Sequence, residues 1–216
     1  MRLILASASP RRLQLLKRIG ITPAEIIPAD IDETPRKAEL PALYTQRVAE
    51  EKALFIAGKY PQDVVLAADT VVACGRRILP KAEDEITARK CLDLLSGRRH
   101  RVYTAVCLYI PPPLGGRLGG GLILESLPGC APLPASPLVG EGIKSVIVQT
   151  HVRFNRLSAN DITQYMASNE WKGKAGGYAI QGLAERFIPW IGGSYSNVVG
   201  LPLAETGQLL KRAGIQ

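Results

Sequence analysis

Apolar residues recur along this chain with two periods, one near two residues and one near 3.6, and the switches between them delimit the predicted elements. Leu3 to Ala6 is a short apolar run and predicts a strand. Ser9-Pro10 supplies an N-cap residue and a proline at the first helical position, which predicts a helix ending at Gly20. Residues 21–40 are irregular, with Pro28, Pro35 and an acidic knot at Asp30-Ile31-Asp32-Glu33. A second helix is expected from Ala42 to Ala57, stopped by Gly58. The run Val64 to Ala73 then reads as a strand buried on both faces. A turn near Gly75, a helix from about Ala82 to Ser96 and a stop at Gly97 follow.

Val102 to Tyr109 is β-rich, and so is Ser145 to Phe154, where Val146, Val148, Thr150, Val152 and Phe154 share one face. His151 falls on the other face with Gln149 and Arg153 and is expected to meet solvent rather than a ligand. Ser158-x-x-Asp161 has the spacing of a capping box and predicts a helix over 159–168; a last helix covers 203–213. Strands separated by helices predict an α/β fold on a mixed sheet. Pro111 to Gly142 fits neither period. Its clustered prolines and glycines predict a long inserted loop, mobile and without a catalytic part, between two strands that otherwise form a hairpin.

A length of 216 residues suits one α/β domain or two small lobes around a shared core. No apolar run approaches the roughly 20 residues that span a bilayer, and the first strand passes directly into Ser-Ala-Ser-Pro-Arg-Arg without a signal-peptide core, so a cytoplasmic protein is expected. Cys74, Cys91, Cys107 and Cys130 form no C-x-x-C pair, and neither His100 nor His151 stands at ligand spacing from them. A zinc site and a disulfide framework are both disfavoured, and Cys91 and Cys107 read as small hydrophobes. The net charge of +8 suits an anionic ligand, either nucleic acid or a phosphorylated small molecule.

Candidate chemistry begins at Asp69, the one acid inside the buried strand. An unpaired buried carboxylate costs several kcal/mol, so Asp69 needs a cation, a donor or a metal, or else it caps the following turn. Ser7-Ala8-Ser9-Pro10-Arg11-Arg12 lies between strand and helix, where free N–H groups, hydroxyls and guanidiniums would cradle a phosphate; otherwise it is a plain Ser-Pro cap. Lys52 falls among Val48, Ile56 and Tyr44 on the apolar arc of its helix and must either snorkel out or meet an anion. Lys81 precedes the third helix, and Glu33 gains a role only if the fold brings it near Asp69. Two such carboxylates would hold a divalent ion against phosphate oxygens. The glycine-rich runs 174–182 and 192–202 permit close backbone approach to a flat ligand, and the Gln181 amide offers both a donor and an acceptor. Arg98-Arg99-His100-Arg101 is read as a solvated turn rather than a nucleic-acid patch.

Taken together, Leu5 to Arg12, Asp30 to Glu33, Ala49 to Ala53, Ala68 to Val72, Leu95-Ser96-Gly97 with Val102-Tyr103-Thr104, and the two glycine-rich runs resemble the Maf family of nucleotide pyrophosphatases, in order and spacing over nearly the whole chain. The resemblance implies a two-lobed α/β, Maf/ITPase-like fold with the nucleotide in the cleft between lobes. It also implies hydrolysis of a nucleoside triphosphate to the monophosphate and pyrophosphate with a divalent cation, Mg²⁺ or Mn²⁺. Asp69 would be the general base and, with Glu33, a metal ligand. Arg11, Thr70 and Gln181 would set specificity, and Ser7, Arg12, Glu33, Lys52 and Lys81 would line the phosphate site. Ser-Pro-Arg-Arg, Tyr-Ala-Ile-Gln-Gly and Gly-Ser-Tyr-Ser-Asn-Val-Val-Gly-Leu-Pro are similar to the dTTP/UTP branch, with modified pyrimidine nucleotides as further candidates, rather than to the 7-methyl-GTP branch. Pro80-Lys81-Ala82 departs from the family's usual Gly-Lys-Pro.

The partners implied are the nucleotide alone, without nucleic acid or membrane, and a homodimer is compatible with this reading. A non-catalytic, nucleotide-responsive regulator of septum formation is the alternative from another class. A nucleic-acid module ranks third, because aromatics are only 6% of residues and none interrupts Arg98–Arg101.

Overall fold

The computed structural model describes residues 1–112 and 142–215. In chain order these form β1 (Leu3–Leu5), α1 (Pro10–Arg18), β2 (Glu25–Ile26), α2 (Pro41–Lys59), β3 (Val64–Cys74), β4 (Arg77–Leu79), β5 (Lys81–Ala82), α3 (Glu85–Leu95), β6 (Arg99–Tyr109), β7 (Ile143–Arg153), α4 (Ala159–Ala167), β8 (Lys174–Ala175), β9 (Trp190–Gly192), α5 (Tyr195–Val199) and α6 (Leu203–Arg212), with a short 3-10 helix at Leu183–Phe187 before β9. The main sheet runs β2-β1-β3-β6-β7-β9, with β4 added against β3. β1 lies parallel to β2 and β3, and the other pairings are antiparallel, so the sheet is mixed as the α/β pattern predicts. β5 and β8 make a separate two-stranded sheet.

β3 lies inside the sheet, paired with β6 along one edge and with β1 and β4 on the other. Its edge away from β6 pairs with β1 only at Val64–Leu66 and with β4 only at Val72–Cys74. Residues 67–71 therefore carry no strand on that edge among the described residues. The gap leaves that part of the strand open to side chains from other segments.

The strand's two-residue period sorts the core into opposite layers. Leu66, Ala68 and Val72 pack with Val102, Val106 and Leu108 against the helices α1, α3, α4 and α6. Val65, Ala67, Val71 and Ala73 face the other way, toward α2, with Ala49, Ala53, Ile56 and Val48. Each large apolar side chain so buried contributes about 1.5–3 kcal/mol.

Several boundaries differ from expectation. α2 continues through Gly58 to Lys59, because packing of its apolar face on β3 and β6 outweighs the modest helix penalty of one glycine. Lys81 and Ala82 pair with β8 instead of opening a helix, and Asp84 caps α3, its carboxylate accepting from Thr87 N at 2.8 Å. Arg98–Arg101 is no solvated turn: β6 starts at Arg99, and His100 is buried with Nε2 2.8 Å from Tyr178 Oη. The Ser158–Asp161 capping box is present at the start of α4. β6 and β7 pair from Arg99–Arg153 to Tyr109–Ile143 as the hairpin predicts; of the connection assigned to 111–142, residues 113–141, with Cys130, lie outside the described residues. Among the described residues Cys74, Cys91 and Cys107 are free thiols, and no helix is long and apolar enough to cross a membrane.

Candidate active site

At the unpaired stretch of β3 lies a cavity of about 480 Å³, within the range of small-molecule sites. Its walls include Ser7, Arg11, Lys52, Asp69, Thr70 and Lys81. Asp69 is buried and accepts from Lys52 Nζ at 2.8 Å, and the same ammonium stands 2.9 Å from Glu33 Oε1. The chain thus meets the physical requirement set by a buried acid with a lysine from the apolar stripe of α2.

Glu33 reaches this point because its loop is stapled to α2. Tyr44 Oη donates to Glu33 O at 2.8 Å, while Arg47 bonds Glu39 at 2.7 Å and Thr34 O at 3.2 Å. Lys81 adds a second, more exposed cation 3.3 Å from Glu33 Oε2. Burial acts to raise the Glu33 carboxyl, but the hydrogen bond and charge of Lys52, then those of Lys81, outweigh it and hold the group below its ordinary value. Burial first, then the charges of Asp69 and Glu33, push the Tyr44 phenol up to about 12.

Thr70 faces the opposite layer. Arg12 donates from Nη2 to Thr70 Oγ1 at 3.1 Å, from Nη1 to Ser7 Oγ at 2.9 Å and from Nε to Gly200 O at 2.9 Å. Three of its five N–H groups are spent inside the protein, so Arg12 ties the β1–α1 turn to β3 and to the C-terminal glycine-rich segment. Burial is the leading cause that lowers its guanidinium, and Asp69 opposes it. Ser7 Oγ also accepts from Ser9 N at 3.3 Å, which fills both of its acceptor positions and leaves its own proton free for an anion. Ser9 stands at the N-cap of α1, yet its hydroxyl makes no capping bond.

The chain matches the family model described as Maf-like protein over residues 2–213. This protein belongs to the Maf-like family. Its curated relatives include proteins named dTTP/UTP pyrophosphatase from Paramagnetospirillum magneticum, 55% identical over 98% of this chain and 97% of the relative, and from Rhodospirillum rubrum, 52% identical over 98% and 88%. Among solved structures, a HAM1 protein from Coxiella burnetii aligns with 97% of this chain and 98% of its own, with a TM-score of 0.45 and 16% identity.

In this Maf-like chain Ser7, Arg11, Arg12, Glu33, Lys52, Asp69, Thr70 and Lys81 all line the one cavity. Gln181 does not. It is exposed in the turn before the 3-10 helix, while its neighbour Ile180 takes the buried position. Tyr178, from the same glycine-rich run, lines the cavity in its place. The run approaches β3 closely: a Cβ at Gly176, where φ is +68°, would stand 2.9 Å from Val72 Cγ1.

Lys174 is the cation that sequence reasoning left without a role. It lines the cavity, and burial first, then the charge of Arg11, lowers its amine below the usual lysine value. A lysine within a glycine-rich run was the available signal, but nothing in the sequence places that run beside Arg11.

Among the described residues no group of three or more His, Cys, Asp or Glu stands at metal-holding geometry. Glu33 and Asp69 do converge on one point, occupied by the Lys52 ammonium. Two hard carboxylates with an adjoining cation-lined cavity fit an ion that takes its remaining ligands from phosphate oxygens and water, as Mg²⁺ does.

Proposed function

We propose that this protein hydrolyses dTTP and UTP to the nucleoside monophosphate and pyrophosphate. The observation that carries the reading is the Glu33–Lys52–Asp69 cluster, with two carboxylates sharing one buried ammonium at a cavity whose other walls hold Arg11, Lys81 and Lys174. The names of its relatives at 50–55% identity supply the nucleotide. A cytoplasmic setting, where such nucleotides occur, follows from the same reading.

In this mechanism water attacks phosphorus, a new P–O bond forms, and the α–β phosphoanhydride bond breaks with pyrophosphate leaving. The Asp69 carboxylate takes the proton of the attacking water, with Lys52 fixing Oδ1 and leaving Oδ2 for that contact. Ser7 donates to a phosphate oxygen, and Arg11, Lys81 and Lys174 offset the charge that grows on the leaving group. Arg12 holds the turn, the strand and the C-terminal segment in register. A divalent cation held by Glu33 and Asp69 would neutralise phosphate charge and acidify bound water. Thr70 reads the nucleoside.

Pyrophosphate release from a panel of nucleoside triphosphates, with and without Mg²⁺ or Mn²⁺, tests the reading. dTTP and UTP should show the highest kcat/KM, and Asp69→Asn should lower kcat by about 10³-fold with an unchanged circular dichroism spectrum. Release from none of the nucleotides, or an Asp69→Asn enzyme of undiminished rate, overturns it.

A further inference from the structure

The opposite side of β3 carries a constraint on hydrogen-bond direction. Thr104 is fully buried on β6, directly across from Thr70 in the sheet register. Its hydroxyl touches two oxygens, Thr70 Oγ1 at 3.0 Å and the main-chain carbonyl of Asn197 at 2.9 Å. A hydroxyl has one proton, and a carbonyl can only accept. In a regular helix the Asn197 carbonyl would accept from the N–H of Leu201, but that N–H bonds Ser196 O instead. Thr104 is therefore the donor to a buried carbonyl that α5 leaves unserved.

With that proton committed, the Thr70–Thr104 contact has one possible polarity: Thr70 donates. Thr70 Oγ1 also accepts from Arg12 Nη2. One acceptor position remains on an oxygen whose residue lines the cavity. Gly200 keeps that region open, since a Cβ there would stand 3.4 Å from Thr70 Oγ1.

We propose that Thr104 is a positioning residue which, by giving its proton to Asn197 O, forces the Thr70 hydroxyl to donate inward and face the cavity as an acceptor only. Such an oxygen cannot bind a phosphate oxygen and selects a donor on the nucleoside. Resting on the nucleotide reading above, the donors shared by dTTP and UTP are the ring N3–H and the sugar 3′-OH. Ser7, with both acceptor positions filled, is the opposite case and faces phosphate as a donor.

The test measures binding of non-hydrolysable α,β-methylene UTP beside its N3-methyl and 3′-deoxy counterparts, so it needs no turnover. One of the two should bind wild-type protein about tenfold more weakly than the parent, and which one identifies the donor. In Thr104→Val the Thr70 hydroxyl is free to turn; the penalty should shrink to about twofold, and Thr104→Ser should restore it. Equal binding of all three to wild type, or an unchanged penalty in folded Thr104→Val, overturns the proposal. Binding of none overturns the nucleotide reading along with it, whereas binding without pyrophosphate release overturns the hydrolysis alone. Should Thr104→Val not fold, the Thr70 hydroxyl proton in wild type is followed by NMR: slow exchange supports its bond to Thr104, and fast exchange overturns it.

Discussion

Asp69 and Thr70 are adjacent in sequence yet belong to two differently built walls, because neighbours on a strand point to opposite faces. On the α2 face the elements are charges: two carboxylates and a lysine within 2.9 Å, with Lys81 near the rim. On the other face the groups linked by hydrogen bonds to Thr70 are, apart from Arg12, neutral hydroxyls and main-chain carbonyls, whose order is set by which atom holds each proton. The charged wall is suited to moving a proton and holding phosphates, where strength counts. The neutral wall is suited to telling one nucleoside from another, where direction counts.

The largest effect that would break this contrast is expected from Lys52→Met. It leaves Glu33 and Asp69 facing each other without their shared cation, and removing one partner of a buried ion group costs about 3 kcal/mol. Urea unfolding should show that loss, and Glu33→Gln added to it should recover part by removing the repulsion. Wild-type stability in Lys52→Met would mean that charge balance does not organise this wall.

Acid should act on the neutral side first. His100 lies in the same layer as Thr70, packed edge-on against Phe154 and Tyr178, and burial lowers its ring to about 4 from 6.5. Below pH 6.5 the unfolded chain binds a proton that the folded one refuses, so stability is intact above that value and falls through the window down to about pH 4. The full loss is about 3 kcal/mol. His100→Gln, which retains a partner for Tyr178, should flatten this part of the urea-midpoint profile. Glu33, held below its ordinary value by Lys52 and Lys81, resists acid better than a free carboxylate.

The smallest effect belongs to α2. Gly58 is helical, and a Cβ there meets nothing within 4 Å, so Gly58→Ala should stabilise the helix that carries Lys52 by about 0.5–1 kcal/mol. A thermal scan should record a rise of about 2 °C with kcat unchanged.

Much of this molecule was legible beforehand. β1, β3, the β6–β7 hairpin and the capped α4 follow from local period and punctuation, which short-range sterics and hydrogen bonding control. The candidacy of Asp69 followed from one polar residue in an apolar run, and that of Lys52 from its angular position on a helix. Gln181 was misplaced, because a glycine-rich run can turn either of two adjacent side chains inward, and packing gave the inner place to Ile180. Arg98–Arg101 was misread because four polar residues in a row carry no period, while the pairing that makes them strand comes from β7, some 50 residues away.

The sequence by itself determined that a carboxylate would interrupt a buried strand, that a lysine would fall on the apolar arc of α2, and that basic and glycine-rich turns would accompany them. Local geometry suffices for that, since burial is written in residue spacing. Only the tertiary structure decided that Lys52 would serve Glu33 and Asp69 together, that Arg12 would spend its donors on the protein, and that Thr104 would set the polarity of Thr70. Those outcomes depend on atoms from distant segments sharing a fixed number of protons and lone pairs, which no local pattern records.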